Sequence, residues 1–435
     1  MIDINLLRTE PEQIRKGILA KNADAGLADK FLELDQRWRQ VVTTLDSLRA
    51  NQNRLSRERK IEEAKQNKEE IKKQELELAG LETERTEVLR LIPNPPLAEV
   101  PPGKSEADNV TLREVGDKPQ SPAPFRDYLE LAEPLGLIDT ARAAKVSGSR
   151  FGYILGALVK LEFAMFHFGL KTLTDKKIIH RLIRENHLKL PDNPFTPVLP
   201  PVLVSRQSMQ AMGYMERGGD EIYHLPADDM FLVGTSEQSL APMHMDETLP
   251  GKELPKRYVG YSTCFRREAG SYGKDTRGII RVHQFNKMEM LVLCTPETSR
   301  AEHRLILAIE EYLMQELKLP YRVLNICSAD LGDPAAAKFD LEAWLPGQNG
   351  GQGEYRETHS ASNCTDYQAR RLNIRYQPIG DKKNPSPKPE FVHILNGTVF
   401  SERPLIAIIE NYQTPEGKVR VPDVLQKYVG EKVIG

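Results

Sequence analysis

The sequence predicts an α+β fold: an antiparallel sheet flanked by helices, preceded by an antiparallel coiled-coil hairpin. Three observations support it. Two apolar seams with helical spacing run through residues 31–92, a proline-rich stretch follows at 93–109, and short apolar runs then alternate with a helical pattern. A chain of 435 residues exceeds the usual size of a single core. We therefore predict an N-terminal helical arm with its linker at 1–110 and a second domain at 111–435.

The hairpin is predicted by apolar positions that recur in steps of three and four. The first seam is Phe31, Leu34, Trp38, Val41, Leu45, Leu48, Gln52 and Leu55, and the second is Ile71, Gln74, Leu78, Leu81, Arg85, Val88 and Ile92. A polar stretch at 57–70 is predicted to connect them. The prolines of 93–109 cannot continue a helix, so they predict an extended connector.

One edge of this hairpin is basic. Its cations between residues 47 and 60 include Arg49, Arg54, Arg57 and Lys60. A solvated coiled-coil face is the more common explanation of such charge. The alternative is an edge that contacts the phosphates of a nucleic acid.

The second domain is predicted from short β-rich or apolar runs around one clear helix. The runs are "RYVGYSTCF" (257–265), "MEMLVLC" (288–294), "YRVLNIC" (321–327), "FVHIL" (391–395) and "PLIAIIENY" (404–412), and the helix spans 299–317. Strand hairpins with inserted helices indicate an antiparallel α+β domain.

Composition excludes several classes of protein. The formal net charge is only −2, so a nucleic-acid signal must be local. No apolar run is long enough to span a membrane, and the N-terminus lacks the pattern of a secretion signal. The four cysteines are widely spaced and form no Cys-x-x-Cys pair, which argues against a disulfide framework and a cysteine-rich zinc site. These features predict a cytoplasmic protein without membrane partners.

Residues 265–290, "FRREAGSYGKDTRGIIRVHQFNKMEM", carry the chemistry. A strand, a turn at 271–278 and a returning strand would place Arg266 and Glu268 on one face, because side chains alternate along a strand. Phe285 and Glu289 would likewise share a face. A guanidinium can hold a phosphate bidentately, and an aromatic ring can stack on a base.

This stretch resembles motif 2 of class II aminoacyl-tRNA synthetases, specifically of the seryl-tRNA synthetase family. Further matches follow the family's order: "AAKVSGSRF" (143–151), "LPPVLVSRQSM" (199–209) as motif 1, "GTSEQSLAPMH" (234–244), "FDLEAWLPGQ" (339–348), "YRETHSASNCTDYQARR" (355–371) and "LNGTVFSERPLIAIIENYQ" (395–413) as motif 3. With the hairpin, the resemblance covers nearly the whole chain.

The resemblance implies a ligase that uses ATP to convert L-serine into seryl-adenylate and transfers serine to serine tRNA, and to selenocysteine tRNA where that tRNA exists. The implied catalytic residues are Arg266 and Arg403. The implied ATP contacts are Arg266, Arg267, Glu268, Val282, Phe285, Glu357, Thr358, His359, Ser360 and Arg403. The implied serine contacts are Thr235, Ser236, Glu237, Arg266, Glu289, Asn396 and Thr398. Glu357 and Ser360 are implied to bind Mg²⁺.

The resemblance also implies partners. The hairpin is expected to hold the long variable arm of serine tRNA through Arg49, Arg54, Arg57 and Lys60, and motif 1, with Pro201, is expected to form a homodimer interface. Two alternatives stay open at this point: a related amino-acid ligase with a non-tRNA acceptor, and a catalytically inactive RNA-binding or scaffold paralogue.

Two departures from the family pattern bear on the ATP site. Motif 3 is one residue shorter than usual and places Glu402 directly beside Arg403. A glycine-rich insertion at 349–353 precedes Glu357.

Overall fold

The computed structural model describes residues 1–121, 124–269, 277–380 and 384–435. Most of the turn predicted at 271–278 lies outside these described residues. The chain forms two compact units, Met1–Pro95 and Pro96–Gly435. No helix within the described ranges is both long enough and apolar enough to cross a membrane.

The N-terminal unit is helical, and the predicted hairpin is confirmed. Its helices are α1 (Ile4–Thr9), α2 (Pro11–Ala20), α3 (Gly26–Arg57) and α4 (Ile61–Leu91). As the residue number rises along α3, the number of its partner on α4 falls: Trp38 contacts Glu82, Arg49 contacts Glu75 and Asn51 contacts Asn67. The two helices are therefore antiparallel, and every predicted seam position is buried or partly buried.

The predicted polar connection at 57–70 is wrong in extent, because α4 already begins at Ile61. The polar residues there are good helix formers, and Glu62 and Glu69 pair with lysines one turn later on the same face. Only residues 58–60 link the two helices.

The buried carboxylate of Asp35 links helices within the N-terminal unit. Asp35 on α3 is fully buried, accepts hydrogen bonds from Arg8 at 2.8 Å and Arg39 at 3.2 Å, and forms an ion pair with Arg85 at 3.0 Å. Burial acts to raise the pKa of Asp35, but the hydrogen bond and charge of Arg8, together with the other two arginines, lower it on balance. The apolar seam gave no signal for this residue.

The second unit contains the strands β1 (Val110–Val115), β2 (Ile138–Asp139), β3 (Tyr153–Ile154), β4 (Thr196–Val198), β5 (Leu203–Ser205), β6 (His224–Leu225), β7 (Met230–Leu232), β8 (Thr248–Pro250), β9 (Lys256–Phe265), β10 (Gln284–Cys294), β11 (Tyr321–Asn325), β12 (Ala337–Leu345), β13 (Glu354–Asn363), β14 (Arg375–Gln377), β15 (Glu390–Phe391), β16 (His393–Phe400), β17 (Val419–Arg420) and β18 (Val433–Ile434). Among the described residues, eight of them form one sheet in the order β1-β11-β12-β13-β16-β10-β9-β4. All neighbours in it are antiparallel except β4 and β9.

Helices cover this sheet, and the predicted α+β class is confirmed. They are α5 (Tyr128–Ala132), α6 (Thr140–Ser147), α7 (Ala157–Thr174), α8 (Lys176–Glu185), α9 (Arg206–Ala211), α10 (Met215–Gly218), α11 (Glu237–Leu240), α12 (Ser299–Glu316), α13 (Gln348–Gly351), α14 (Tyr367–Leu372), α15 (Glu402–Asn411) and α16 (Asp423–Val429). The main core lies where α7, α12 and α15 pack on the sheet.

One apolar run forms a helix rather than a strand. Residues 404–412 lie almost entirely in α15, which Ser401 caps at its N-terminus. Every residue from Pro404 to Glu410 is buried. Because the helix is covered all round, its apolar residues follow each other without a visible helical period.

The end of β9 also differs from the prediction. The strand stops at Phe265, so Arg266 and Glu268 lie beyond it, and Glu268 has a positive φ of 52°. The argument from strand alternation therefore does not apply to this pair. The chain that follows β9 nevertheless brings both side chains to the same cavity.

Candidate active site

A cavity of about 660 Å³ lies over the middle of the large sheet. The neighbouring strands β13, β16, β10 and β9 contribute to its floor and walls, together with the segments after β7 and β9 and the start of α15. Of the predicted site residues, those that line it are Thr235, Glu237, Arg266, Glu268, Val282, Phe285, Glu289, Glu357, Thr358, Ser360, Asn396, Thr398 and Arg403. Residues from four separate sequence motifs thus meet at one place.

An arginine and an aromatic ring form one side of the cavity. The guanidinium carbon of Arg266 lies 5.4 Å from the centroid of the Phe285 ring. Arg266 Nε donates to the carbonyl oxygen of Gly234 at 3.3 Å, and this hydrogen bond orients the guanidinium group. A flat cation and a flat ring side by side can receive an anionic group and a planar base.

The segment that returns to β10 forms the adjoining wall. Arg281 Nη1 donates to Glu268 Oε2 at 3.1 Å. Val282 and Phe285 line the same wall. The ion pair orients the Glu268 carboxylate, which can accept hydrogen bonds from an amino group.

The opposite side combines Glu357 on β13 with Arg403 at the start of α15. Arg403 Nη1 donates to the Glu357 carbonyl oxygen at 2.9 Å and lies 3.5 Å from the carboxylate Oε2. Desolvation acts to raise the pKa of Glu357, but the charges of Arg403, Lys338 and Arg266 outweigh it and lower the pKa. Glu357 is therefore ionised at neutral pH, and its side chain is about half exposed.

A second carboxyl group lies behind this pair. Asp340 on β12 is the register partner of Ser360 on β13, and its Oδ2 accepts from Lys338 Nζ at 2.9 Å. Burial raises the pKa of Asp340. The carboxylate of Glu357 and the hydroxyl of Ser360 are oxygen donors of the kind that Mg²⁺ prefers, so the residues present fit that ion.

The far end of the cavity is lined by buried carboxyl groups. Glu237 accepts from Tyr214 Oη at 3.0 Å and from Gln368 Nε2 at 2.8 Å. Burial raises the pKa of Glu237 to about 7, although both hydrogen bonds act in the opposite direction. Glu289 is equally buried and forms an ion pair with Lys287. Glu289 is paired with Thr398 across β10 and β16, so these two positions are fixed by strand register.

Three of the predicted ATP and serine contacts do not line the cavity. Ser236 is buried and donates to the Gly260 carbonyl oxygen at 3.2 Å. His359 is buried with its Nε2 3.1 Å from the Val399 carbonyl oxygen, and burial lowers its pKa to about 4. Arg267 is exposed beside the cavity wall.

The structure adds four residues that sequence reasoning missed: Tyr214, Arg281, Lys287 and Gln368. Lys287 lies two residues before Glu289 on one strand, so strand alternation could have placed it on the same face. Arg281 and Gln368 lie within recognised motifs but carried no separate signal. Nothing in its local sequence distinguishes Tyr214.

Both departures from the expected motifs are accommodated. The glycine-rich insertion lies at the turn between β12 and β13, where Asn349 and Gly350 have positive φ, and its residues do not line the cavity. The shortened motif 3 still places Arg403 against Glu357.

Comparison with known proteins identifies the family of this chain. A model of the tRNA synthetase class II core domain (G, H, P, S and T) matches residues 223–412, and a model of the seryl-tRNA synthetase N-terminal domain matches residues 1–96. The serine–tRNA ligase of Thermobifida fusca (strain YX) is 43% identical, over the full length of this chain and 99% of its own. The chain belongs to the seryl-tRNA synthetase family. It is thus an aminoacyl-tRNA synthetase, a ligase that uses ATP to attach an amino acid to tRNA.

Two solved seryl-tRNA synthetases have the same fold. The enzyme of Pyrococcus horikoshii, in a complex with ATP, is 39% identical with a TM-score of 0.88, over 100% of this chain and 99% of its own. The cytoplasmic enzyme of Naegleria fowleri, in a complex with AMP, is 36% identical with a TM-score of 0.86, over 100% of this chain and 98% of its own.

Proposed function

We propose that this seryl-tRNA synthetase activates L-serine with ATP in the cavity over its large sheet and transfers the serine to serine tRNA. The observation that carries the proposal is the meeting of Arg266 and Arg403 with the buried carboxyl groups Glu237 and Glu289 in one cavity. The cations suit two anions that must approach each other, and the carboxyl groups suit a small polar amino acid.

In the first step, a serine carboxylate oxygen attacks the α-phosphorus of ATP. A bond forms between them as the bond from phosphorus to the bridging oxygen breaks, which yields seryl-adenylate and pyrophosphate. No side-chain nucleophile or proton transfer is needed. Arg266 would hold the α-phosphate and the serine carboxylate, and Arg403 the γ-phosphate, so that rate enhancement comes from positioning and charge.

The nucleotide base has a matching wall. Phe285 would stack on adenine, with Val282 beside it, and Glu268 would accept from the adenine amino group. The ion pair between Glu268 and Arg281 supports this role, because it orients the carboxylate before ATP arrives.

Glu237, Glu289, Thr235 and Thr398 would recognise serine through its hydroxyl and ammonium groups. All four are buried. Alanine would leave these groups unpaired, so it should be rejected strongly. Glu357 and Ser360 would hold Mg²⁺, which would neutralise phosphate charge when bound.

We also propose that the chain works in the cytoplasm as a homodimer and that α3 and α4 hold the long variable arm of serine tRNA. Support for the dimer comes from the exposed apolar side chains Phe163 and Leu199, which are 60% and 84% exposed. Support for the arm comes from the basic side chains Arg49, Arg54, Arg57 and Lys60, all of which are exposed. Arg49 and Lys60 also pair with Glu75 and Glu58.

The test is ATP–pyrophosphate exchange with serine, threonine and alanine, followed by charging of total tRNA. We expect exchange with serine and subsequent charging. Exchange without charging would indicate another acceptor. Absence of exchange would contradict the proposed reaction and favour an inactive RNA-binding protein.

A further inference from the structure

Asn286 on β10 joins three elements of the second unit. Its backbone N–H donates to Glu402 Oε1 on α15 at 3.2 Å, and its side-chain Nδ2 donates to Glu162 Oε1 on α7 at 3.1 Å. Its Oδ1 accepts from the hydroxyl of Thr263 on β9 at 3.1 Å. These contacts lie outside the interactions assigned to substrates above.

The two ends of the backbone bond each adjoin a proposed ATP contact. Asn286 follows Phe285 in the strand, and Glu402 precedes Arg403 at the start of α15. Phe285 and Arg403 both line the cavity. A single hydrogen bond therefore connects the backbone segments that carry the proposed base-stacking ring and the proposed phosphate-binding arginine.

We propose that Glu402 is a positioning residue that holds β10 to the N-terminus of α15 and so sets the spacing of Phe285 and Arg403 around ATP. This inference rests on the function proposed above. It gives a physical role to the carboxyl group that lies unexpectedly beside a phosphate-binding arginine.

The charges around Glu402 explain why it keeps its proton. Glu162 faces it from α7 and Tyr261 from β9, while Asn286 on β10 is neutral. Its neighbour Arg403 is directed at Glu357. Within the described part of the chain, neither Glu402 nor Glu162 forms an ion pair.

Burial, together with the nearby Glu162, raises the pKa of Glu402 to about 8. Burial also raises the pKa of Glu162. The Asn286 N–H can donate to either form of Glu402, but below pH 8 the neutral form does not repel the phosphates. Above pH 8 it ionises next to a polyanion and a second carboxyl group. Because the ionised form repels the phosphates, only about one molecule in ten would bind ATP well at pH 9, and the apparent Kd would rise about tenfold.

The experiment measures the Kd of ATP by calorimetry, without serine, between pH 7 and pH 9.5. Glu402→Gln keeps the acceptor oxygen and cannot ionise, so it mimics the neutral acid. We expect it to match the wild type within about twofold at pH 7 and to stay flat, while the wild type weakens about tenfold by pH 9. Equal pH dependence in both proteins would overturn the inference, as would a Gln variant that is folded but binds ATP poorly at pH 7.

Two further variants keep the test decisive. Glu162→Gln removes a neighbouring charge that raises the pKa of Glu402, so the loss of ATP affinity should begin at a lower pH; an unchanged profile would count against the inference even if the Glu402 variant did not fold. Glu410→Gln changes another buried carboxyl group on α15 that does not line the cavity, and it should keep the wild-type profile. A flat profile in this control would overturn the assignment to Glu402.

Serine-dependent pyrophosphate exchange at pH 7 distinguishes a failure of the proposed Glu402 role from a failure of the proposed function. Exchange together with a pH-independent Kd for ATP would remove only the role of Glu402. Absence of exchange in the wild type would remove the proposed function, whatever the pH profile of ATP binding.

Discussion

Tyr214 illustrates how a single hydroxyl can set the charge of the proposed serine pocket. It is partly buried and donates to Glu237, whose pKa lies at about 7. This hydrogen bond favours the ionised form of Glu237. We predict that Tyr214→Phe raises the pKa of Glu237 and weakens serine binding about tenfold at pH 7, since hydrogen bonds to charged groups contribute about 1.5–3 kcal/mol.

The readout is the KM for serine in pyrophosphate exchange between pH 6.5 and pH 8.5. The defect should shrink as the pH rises, because the remaining Glu237 carboxyl ionises at a higher pH in the variant. The KM for ATP should not change. Tyr312→Phe, at a position that does not line the cavity, is the matched control. A defect of the same size at every pH would mean that the hydroxyl acts only through packing.

At the scale of elements, Asp35 on α3 pairs with Arg8 of α1 and Arg85 of α4, and also with Arg39 of its own helix. Removal of its charge leaves those cations without their common partner, although they are partly exposed to water. We predict that Asp35→Asn destabilises the N-terminal unit by about 2–3 kcal/mol at pH 7. Urea unfolding followed by Trp38 fluorescence, in a Trp344→Phe background, measures this difference. Asp46→Asn, on the exposed face of α3, should leave stability unchanged.

The same carboxyl group gives a pH signature with a defined sign. The pKa of Asp35 is lower in the folded state than its ordinary value of 3.8. Its contribution is therefore present above about pH 4 and is lost as the pH falls through the folded value. The stability difference between wild type and Asp35→Asn should shrink below pH 4. A constant difference across that range would show that the charge of Asp35 is not what stabilises the unit.

The hairpin of α3 and α4 allows tRNA charging to be tested separately from pyrophosphate exchange. Since Trp38 faces Glu82, residues 40 and 80 lie at the same height on α3 and α4. We predict that replacing residues 40–80 by a short Gly/Ser linker spares pyrophosphate exchange with serine and abolishes charging of serine tRNA. Both rates are measured on one preparation. Loss of exchange as well would contradict a separable tRNA-binding arm.

Elements with a local signature were predictable, and contacts between distant segments were not. The seams of α3 and α4 follow from helical period alone, and the pairing of β9 with β10 follows from two apolar runs around a turn. α15 was obscured because it is buried on all sides. Glu237 lies 23 positions from Tyr214 and 131 positions from Gln368, so no local sequence pattern predicts that the three residues form a cluster. Asp35 was hidden because its arginine partners include one from α1.

At the scale of the whole molecule, two exposed apolar side chains indicate a dimer interface. Leu199 in motif 1 is 84% exposed, Phe163 on α7 is 60% exposed, and α7 packs against β4, the strand just before Leu199. We predict a dimer of about 99 kDa, twice the chain mass of 49.3 kDa. Leu199→Glu would bury a charge in that interface and should shift the mass measured by light scattering towards 49.3 kDa. Leu76→Glu, at an equally exposed leucine on α4, should leave the dimer intact. A wild-type protein of monomer mass, or a Leu199→Glu variant that remains dimeric, would place the dimer interface elsewhere or remove it.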